Sequence, residues 1–429
     1  MKFNKWTLGL AAVGAVSMAS AVRADEAKQS ALQTALSNTT ISGSVSASAQ
    51  VALDPNAAAY AHSVASAIPF QAGKQDGFNL DVVRLTIAKP EDESPWASGY
   101  QVDLMFGPDA VGYNPSANGS QTEDMAIKQA YVTLRTPVGN GIDWKIGVFD
   151  TVIGYEVTDA GSNPNYTRSF GYAVEPTEHT GILGTYKIND MFTVSAGIAN
   201  TSMAGINTRN TSNGGPSSDW KKTIMGSVAM TAPSSWGWAA GSQAYVGAVY
   251  GFNNSKAGIG SFGGGAGSGL YAAGDQFNGY AGVTLNTPCK ALTVGLAFDY
   301  VQNLGGGSSS STSTYSYSQH ADIIVVGAYA TYKVTDKLSL NARGEWLQGT
   351  IHYNYGYKGD GGTYNYASSP SGDAYELTGT VEYDLWANVM SRLEIRWDHL
   401  AEGTSTFAGN DPSLHRSALG LYANVIYKF

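Results

Sequence analysis

The sequence predicts an all-β fold, namely a transmembrane antiparallel up-and-down β-barrel of about 16 strands with short periplasmic turns and long external loops. Three observations predict it. Apolar and polar residues alternate along most of the chain, and the connections between the alternating segments are short and long in turn. The composition, with 52 Gly, 26 Tyr and 14% charged residues, suits strands, turns and aromatic girdles more than packed helices.

The alternation is clear where Trp144, Ile146 and Val148 are interleaved with Asp143 and Lys145. Because successive strand residues point to opposite faces, one face of such a segment suits lipid and the other suits water. No apolar run after residue 24 is long enough for a membrane-spanning helix, and the mean hydropathy is −0.15. Strands are predicted at residues 41–52, 77–89, 97–107, 125–136, 141–149, 178–187, 190–200, 219–231, 236–252, 270–286, 290–303, 318–333, 337–350, 371–386, 388–402 and 413–429.

The connections alternate in length. Tight links marked by Pro, Asn or Asp separate long polar segments at 53–76, 108–124, 150–177, 201–218, 253–269, 304–317, 351–370 and 403–412. This pattern is typical of an even-stranded outer-membrane barrel with both termini in the periplasm. A soluble barrel or sandwich is the alternative, but sixteen strands would overfill its interior. A lumen of ~16 strands holds an aqueous channel unless a loop plugs it.

Both ends of the chain indicate export. Lys2 and Lys5 precede an apolar stretch, which predicts a signal peptide at residues 1–24, too short for a membrane anchor. Residues 25–40 are predicted to form a short periplasmic helix or tail, and residues 41–429 a single barrel domain. The chain ends on an alternating strand in which Tyr427 and Phe429 resemble the C-terminal signal of the bacterial outer-membrane assembly machinery. The predicted partners are therefore outer-membrane lipid and that machinery, and the predicted location is the outer membrane.

Charge and cysteine content narrow the class further. Without residues 1–24, which contain Lys2, Lys5 and Arg23 and no acid, the chain has a net charge of −12. That balance argues against nucleic acid as a partner. The single cysteine, Cys289, excludes a disulfide within the chain, so stability must come from the ladder of strands.

Three segments in the middle of the chain resemble one family: 143–156 (DWKIGVFDTVIGYE), 163–172 (NPNYTRSFGY) and 175–181 (EPTEHTG). They are similar to the OmpL-like β-barrel porin-2 family, in which a strand ending in Gly-x-Phe-Asp leads into a loop with Gly-Tyr-Glu and Asn-Tyr-x-Arg. The resemblance implies an outer-membrane porin that passes small hydrophilic solutes. Sixteen-stranded porins commonly form homo-trimers, and no feature of this sequence decides that point.

The segment at 150–177 is also the longest predicted external loop, and it gathers acidic, basic and aromatic residues. If it folds inward and faces basic groups on the wall, it would form a constriction with a transverse field. The alternative is an external loop whose charges are solvated.

Charged residues opposite the apolar stripe are expected to face water, because a charge on the lipid face costs ~2–4 kcal/mol at the midplane. The alternative for any one of them is a rim position that extends to the interface. The candidates for lining the pore or its constriction, in strands and loop together, are Arg84, Arg135, Lys145, Glu156, Asp159, Arg168, Arg343, Glu345, Glu382, Glu394, Arg396 and Asp398.

No catalytic residue, cofactor site or metal site is predicted. The glycine run at 263–269 lacks the Lys-Ser/Thr tail of a phosphate loop, and the six His residues show no metal-ligand spacing. The predicted function is therefore a diffusion channel, with mild cation preference from the net charge. The alternatives are a substrate-specific uptake channel, a barrel that anchors a surface binding or adhesion protein, and an outer-membrane hydrolase.

Overall fold

The computed structural model describes residues 38–53, 70–71, 74–110, 124–202, 206, 221–258, 271–312, 315–359, 362–368, 371–401 and 417–429. The predicted signal peptide (1–24) and most of the predicted periplasmic segment (25–40) lie outside these residues. None of the described helices is long and apolar enough to cross a bilayer.

Among the described residues, seventeen antiparallel strands follow one another along the chain. They are β1 Thr40–Ala52, β2 Gly77–Lys89, β3 Ser98–Phe106, β4 Met125–Thr136, β5 Ile142–Asp150, β6 Glu178–Lys187, β7 Phe192–Ala199, β8 Thr223–Thr231, β9 Gln243–Gly258, β10 Tyr271–Asn286, β11 Leu292–Thr312, β12 Tyr315–Lys333, β13 Leu338–Gly359, β14 Gly362–Ser368, β15 Ser371–Trp386, β16 Val389–Leu400 and β17 Ser417–Lys428. Sixteen of them form a closed ring in which each strand pairs with the next. β14 pairs with the outer part of β13, whose inner part pairs with β15.

The ring closes where β17 returns to β1. Their register runs from Ser44 opposite Lys428 to Ala52 opposite Gly420. Beyond it, the backbones of Gly43 and Phe429 exchange two hydrogen bonds, of 2.9 and 3.0 Å. Both ends of the barrel therefore lie on one rim. The strand order places the short connections on that rim and the long ones on the other, as the alternation predicts.

The two faces of the wall differ as an alternating strand requires. On β16, Leu393 and Ile395 are 53% and 47% exposed on the outer face, whereas Glu394 and Arg396 are fully buried on the inner face. Exposed indole rings cluster beside the short turns, at Trp96, Trp236, Trp238 and Trp386. This position suits an aromatic girdle at the membrane interface.

The strand bounds differ most from the prediction at β9 and at β11 to β13, with smaller differences at other strand ends. β9 begins at Gln243 rather than at 236, because residues Ser234–Ala239 form a 3-10 turn at the short-connection rim. β11, β12 and β13 extend beyond the predicted strands, so much of the predicted loops 304–317 and 351–370 is strand. These extensions are rich in Gly, Ser and Tyr and show no apolar alternation, so their sequence resembles that of a loop.

Candidate functional site

The loop between β5 and β6, residues 151–177, folds into the lumen, and we call it the inner loop. The Tyr155 ring stacks on Tyr329 of β12, with 4.1 Å between ring centroids. Further along the loop, the Tyr166 hydroxyl donates to Asp81 of β2 over 2.9 Å. β12 and β2 are far apart in the ring, so the loop crosses the interior. Of the two hypotheses for this segment, the structure shows the inward fold.

Short-range bonds give the inner loop a defined shape. The Asn163 amide donates to the carbonyls of Val157 and Asp159 over 2.6 and 3.0 Å, which closes a tight turn. A single-turn helix, α1 (Phe170–Val174), then leads back to β6, and the Ser169 hydroxyl caps its start. Asn and Ser side chains satisfy backbone groups in this way where no ladder is available.

Carboxylates of the wall accept hydrogen bonds from backbone amides of the inner loop. Glu394 accepts from the amides of Tyr166 and Thr167 over 2.5 and 2.9 Å, and from the Thr167 hydroxyl over 2.6 Å. Glu345 of β13 accepts from the first two amides of α1 over 2.6 and 3.1 Å. These bonds satisfy amides that would otherwise lie buried without a partner, because no strand runs beside the loop.

Arginines of the wall bind the carbonyls of the same loop. One nitrogen of Arg392 donates to the carbonyls of Ala160, Asn163 and Asn165 over 3.0 to 3.1 Å. Arg396 donates to the carbonyl of Arg168 over 2.5 Å. The guanidinium presents several donors in a fixed plane, which suits it to a curved backbone.

Arg343 joins the wall to a loop side chain. It donates to Glu156 and to the carbonyl of Thr167, each over 2.7 Å, and it forms an ion pair of 3.1 Å with Glu376 of β15. The side chains of Arg343, Glu156 and Glu376 are all 0% exposed. Removing one partner of such a buried ion pair strongly destabilises the folded protein, because the other charge is left without water or a counter-charge.

Five predicted pore-lining residues are therefore placed differently from the expectation. They lie on the lumen face but are covered by the inner loop and are at most 6% exposed. Their charges bond to the loop or to each other; Arg396, for example, pairs with Asp398 over 2.8 Å. The five are Arg343, Glu345, Glu394, Arg396 and Asp398.

Apolar packing also holds the inner loop. Val152 and Ile153 pack with wall residues of strands β4 to β12, including Leu183, Val249 and Tyr280. The helix α1 packs with apolar residues of β11, β12, β13, β15 and β16 in a second cluster. These clusters stabilise the loop against the wall, since buried apolar contact is favourable by roughly 25 cal/mol per Å².

Partly exposed charges lie between the loop and strands β2 to β5. Arg84 is 16% exposed and pairs with Asp103 of β3 over 3.0 Å and with Asp159 of the loop over 3.7 Å. Asp159 is 31% exposed and Asp150 is 28% exposed, and Asp150 also pairs with the buried Lys128. The half-buried Lys145 of β5 lies on the same face of the wall, so partly exposed acids and bases both line this region.

The loop acid stays ionised. Burial tends to raise the pKa of Asp159, but Arg84 and a hydrogen bond from Ser162 outweigh it and hold the pKa below its usual range. The Ser162 hydroxyl donates to the carboxylate over 2.6 Å. Asp159 therefore contributes a fixed negative charge at neutral pH.

Two other candidates, Arg135 and Glu382, lie near the short-connection rim, and Lys145 lies on β5. Arg135 pairs with Asp143 over 2.6 Å and donates to the carbonyl of Asn140, so it lies at the short-connection rim. The Lys145 ammonium lies 4.8 Å from the centroid of the Tyr131 ring. Glu382 is half-buried near the same rim, opposite Arg392 in the β15–β16 register.

The last candidate, Arg168, is buried in the inner loop. It donates to the carbonyls of Tyr166 and Thr158 over 3.0 and 2.7 Å. Its guanidinium also lies 5.2 Å from the Phe70 ring and 5.7 Å from the Tyr172 ring. Arg168 thus shapes the loop and contacts the segment before β2.

Several residues that hold the site were not among the candidates. Arg392 falls on the same two-residue period as Glu394, so the strand pattern could have found it. Asp81, by contrast, lies at a register shift between β1 and β2, and alternation does not predict its direction. Lys74 lies in the predicted loop 53–76, where the sequence offers no signal for burial.

No group of three or more His, Cys, Asp or Glu side chains in the described part of the chain is arranged to hold a metal ion. His399 lies 2.7 Å from the Ser417 hydroxyl, and its ring stacks on Trp397. His399 and Ser417 occupy the register positions of the outer face. They lie away from the lumen, where a solute would pass.

The family model described as "Putative beta-barrel porin-2, OmpL-like" matches residues 38–429. Among solved structures, in-vitro folded OmpT, an outer membrane protein of Vibrio cholerae in a trimer form, is 14% identical (91% of this chain, 99% of that chain, TM-score 0.51). The outer membrane channel DcaP of Acinetobacter baumannii is 11% identical (91% and 97%, TM-score 0.51). An anion-selective porin from Comamonas acidovorans is 13% identical (91% and 99%, TM-score 0.50). At these identities the likeness shows the fold. A comparison with curated proteins found no match.

Proposed function

Because the chain belongs to the OmpL-like β-barrel porin-2 family, we propose that it is an outer-membrane channel for the passive diffusion of small hydrophilic solutes and ions. The observation that best supports this function is a set of charges that keep solvent exposure in the lumen beside the inner loop. These side chains lie between the loop and strands β2 to β5. A passage with fixed charges on its walls suits ions and polar solutes.

We further propose a cation preference. Asp150 and Asp159 are more exposed than Arg84, and Arg84 is already paired with the buried Asp103. A cation in the passage would therefore meet two partly exposed acids, with Lys145 of β5 offsetting part of their charge. This arrangement is independent of the mature net charge of −12, which favours the same sign.

The test is single-channel recording of the refolded mature chain in a planar bilayer with a salt gradient. Stable open steps with a reversal potential of the sign set by cation flow are the expected result. A reversal potential that indicates anion selectivity would contradict the cation preference but would still support the channel function. A folded barrel that never conducts would contradict the channel and favour a barrel that anchors a surface binding protein. Block of the current by one sugar or peptide would favour the substrate-specific uptake channel.

The remaining assignments follow from this function. We propose that the protein is not an enzyme, because its buried charges bond to the inner loop and to neighbouring wall groups. Its partners would be outer-membrane lipid, the assembly machinery and small hydrophilic solutes. A homo-trimer is supported by the trimer form of the Vibrio cholerae neighbour. Crosslinking in native membranes would test the oligomer.

A further inference from the structure

A buried cluster ties the first two external loops to the inner loop. Lys74, which precedes β2, lies 3.0 Å from Asp81 and 2.9 Å from Asp109, and it donates to the Tyr166 hydroxyl over 3.0 Å. The Lys74 side chain is 1% exposed. Asp109 belongs to the 3-10 turn Pro108–Ala110 that follows β3. We call Lys74, Asp81, Asp109 and Tyr166 the loop clasp.

The clasp is anchored in the barrel seam. Asp81 accepts hydrogen bonds from the Ser46 and Ser48 hydroxyls of β1 over 2.7 and 2.6 Å. The Asn424 amide of β17 also donates to it over 3.2 Å. Tyr166 in turn donates to Asp81, so the tip of the inner loop is tied to the wall at β1 and β2.

A second contact joins the same segments. Phe70, also in the first external loop, has its ring 5.9 Å from the Tyr172 ring and beside the Arg168 guanidinium. Phe70 also packs against a small apolar cluster that includes Met105 and Ala110. The first external loop therefore contacts the inner loop at two positions.

We propose that Lys74 is a positioning residue that, through the loop clasp, holds the tip of the inner loop against the wall and so sets the width of the passage, and that acidification tightens this clasp. The inference rests on the proposed channel function. Lys74 makes three polar contacts on three different segments, and all three are lost if the ammonium is removed, while Tyr166 keeps its direct hydrogen bond to Asp81. Glu394 and Arg392 hold the loop separately from β16, three strands along the ring from β2, so the expected effect is a loosened tip and not an expelled loop.

The pH response arises at Asp109, which faces Lys74, Asp81, Tyr166 and Arg168. Burial raises the pKa of Asp109 and Lys74 lowers it, with a net rise from 3.8 to about 6. Burial lowers the pKa of Lys74, but Asp109, Tyr166 and Asp81 outweigh it, so Lys74 stays charged. A group whose pKa is raised in the clasped state stabilises that state when protonated. Stability is therefore greatest below pH ~4 and is lost as the pH rises through ~6. Between pH 7.5 and pH 5 the ratio of the clasped to the released state should rise by about tenfold.

The first experiment compares Lys74→Met with Lys74→Arg. Lys74→Met should increase open-channel current noise and speed hydrogen exchange at the amides of residues 163–172. Lys74→Arg keeps the positive charge, so its current noise and its hydrogen exchange should both be close to those of the wild type. If Lys74→Met matches the wild type in noise and in exchange, or if Lys74→Arg fails as badly as Lys74→Met, the positioning role is overturned.

The second experiment tests the pH response. In the wild type, noise and exchange at residues 163–172 should both fall between pH 7.5 and pH 5, after correction for intrinsic exchange rates. Asp109→Asn mimics the protonated acid, so this variant should show low current noise and slow hydrogen exchange at both pH values. Asp190→Asn changes an exposed acid of a short turn and should keep the wild-type response. A full response in Asp109→Asn would overturn the proposal.

Hydrogen exchange separates the clasp from the channel. One outcome is a barrel that does not conduct, yet shows pH-dependent hydrogen exchange that Asp109→Asn abolishes. That outcome would contradict the channel function and support the loop clasp. A conducting barrel with pH-independent exchange would keep the channel and contradict the clasp.

Discussion

Glu394 and Asp159 show how one kind of side chain takes opposite roles at different places in the lumen. Glu394 is fully buried and accepts hydrogen bonds from backbone amides of the inner loop, so its charge stabilises the loop and does not reach a solute. Asp159 is 31% exposed beside Arg84, so its charge remains available to a passing ion. Burial and hydrogen bonding, more than residue type, decide which charges act on a solute.

Two substitutions should move ion selectivity in opposite directions. Asp159→Asn removes the exposed acid of the inner loop and should lower the cation preference. Arg84→Gln removes the positive charge that neutralises Asp103 and Asp159, so it should raise the preference. The measurement is the reversal potential in one salt gradient, with Asp92→Asn, an exposed acid in a short turn, as the control. If both variants shift the potential the same way, the acidic passage beside Arg84 is not where selectivity arises.

Strand alternation predicts which face a charge occupies but not what covers it. Arg343 and Arg84 both lie on inner faces, and nothing in their local sequence separates them. They differ because the inner loop covers Arg343 on β13, whereas Arg84 on β2 meets the loop at Asp159 and keeps 16% exposure. That difference depends on contacts between residues nearly 200 positions apart, such as Arg343 with Glu156.

At the scale of elements, the wall strands follow from the sequence more closely than the loops do. The predicted strands 77–89, 125–136, 178–187 and 371–386 coincide with β2, β4, β6 and β15. Each of them has lipid on one side, which requires alternation. The outer parts of β11 to β13 lie beyond the alternating segments, so no apolar stripe is required of them and sequence alone does not distinguish them from loop.

The attachment of the inner loop can be tested at Arg343. Arg343→Met would leave Glu156, Glu345 and Glu376 buried without their cation, which should cost about 3–5 kcal/mol in the free energy of unfolding. Urea unfolding from lipid vesicles measures that cost, and limited proteolysis reports whether the loop is released while the barrel persists.

The matched control is Arg135→Met. Arg135 pairs with Asp143, but those side chains are 18% and 42% exposed. The free energy of unfolding should therefore fall by about 1 kcal/mol or less. Equal losses at the two positions would show that the ion pairs under the loop do not fix it.

At the scale of the whole molecule, closure depends on the two ends of the chain. β1 and β17 pair along nine register positions, and this pairing removes the two exposed edges that an open sheet would have. The clasp, the seam and the tip of the inner loop meet at this place through Asp81. Opening the seam would therefore disturb the passage as well as the wall.

The C-terminal residue tests whether the end of the chain is an assembly signal or only part of the seam. Phe429 contributes two backbone hydrogen bonds to Gly43, and its ring is 52% exposed. Deleting it leaves the nine-position register intact, so refolding into detergent should be nearly unchanged. If Tyr427 and Phe429 form a signal for the assembly machinery, the amount in the outer membrane of cells should fall severalfold. Trp386→Ala, an exposed aromatic of the same rim, should leave both yields unchanged. Equal losses in cells and in detergent would instead assign Phe429 to barrel closure, because detergent refolding involves no machinery that could recognise a signal.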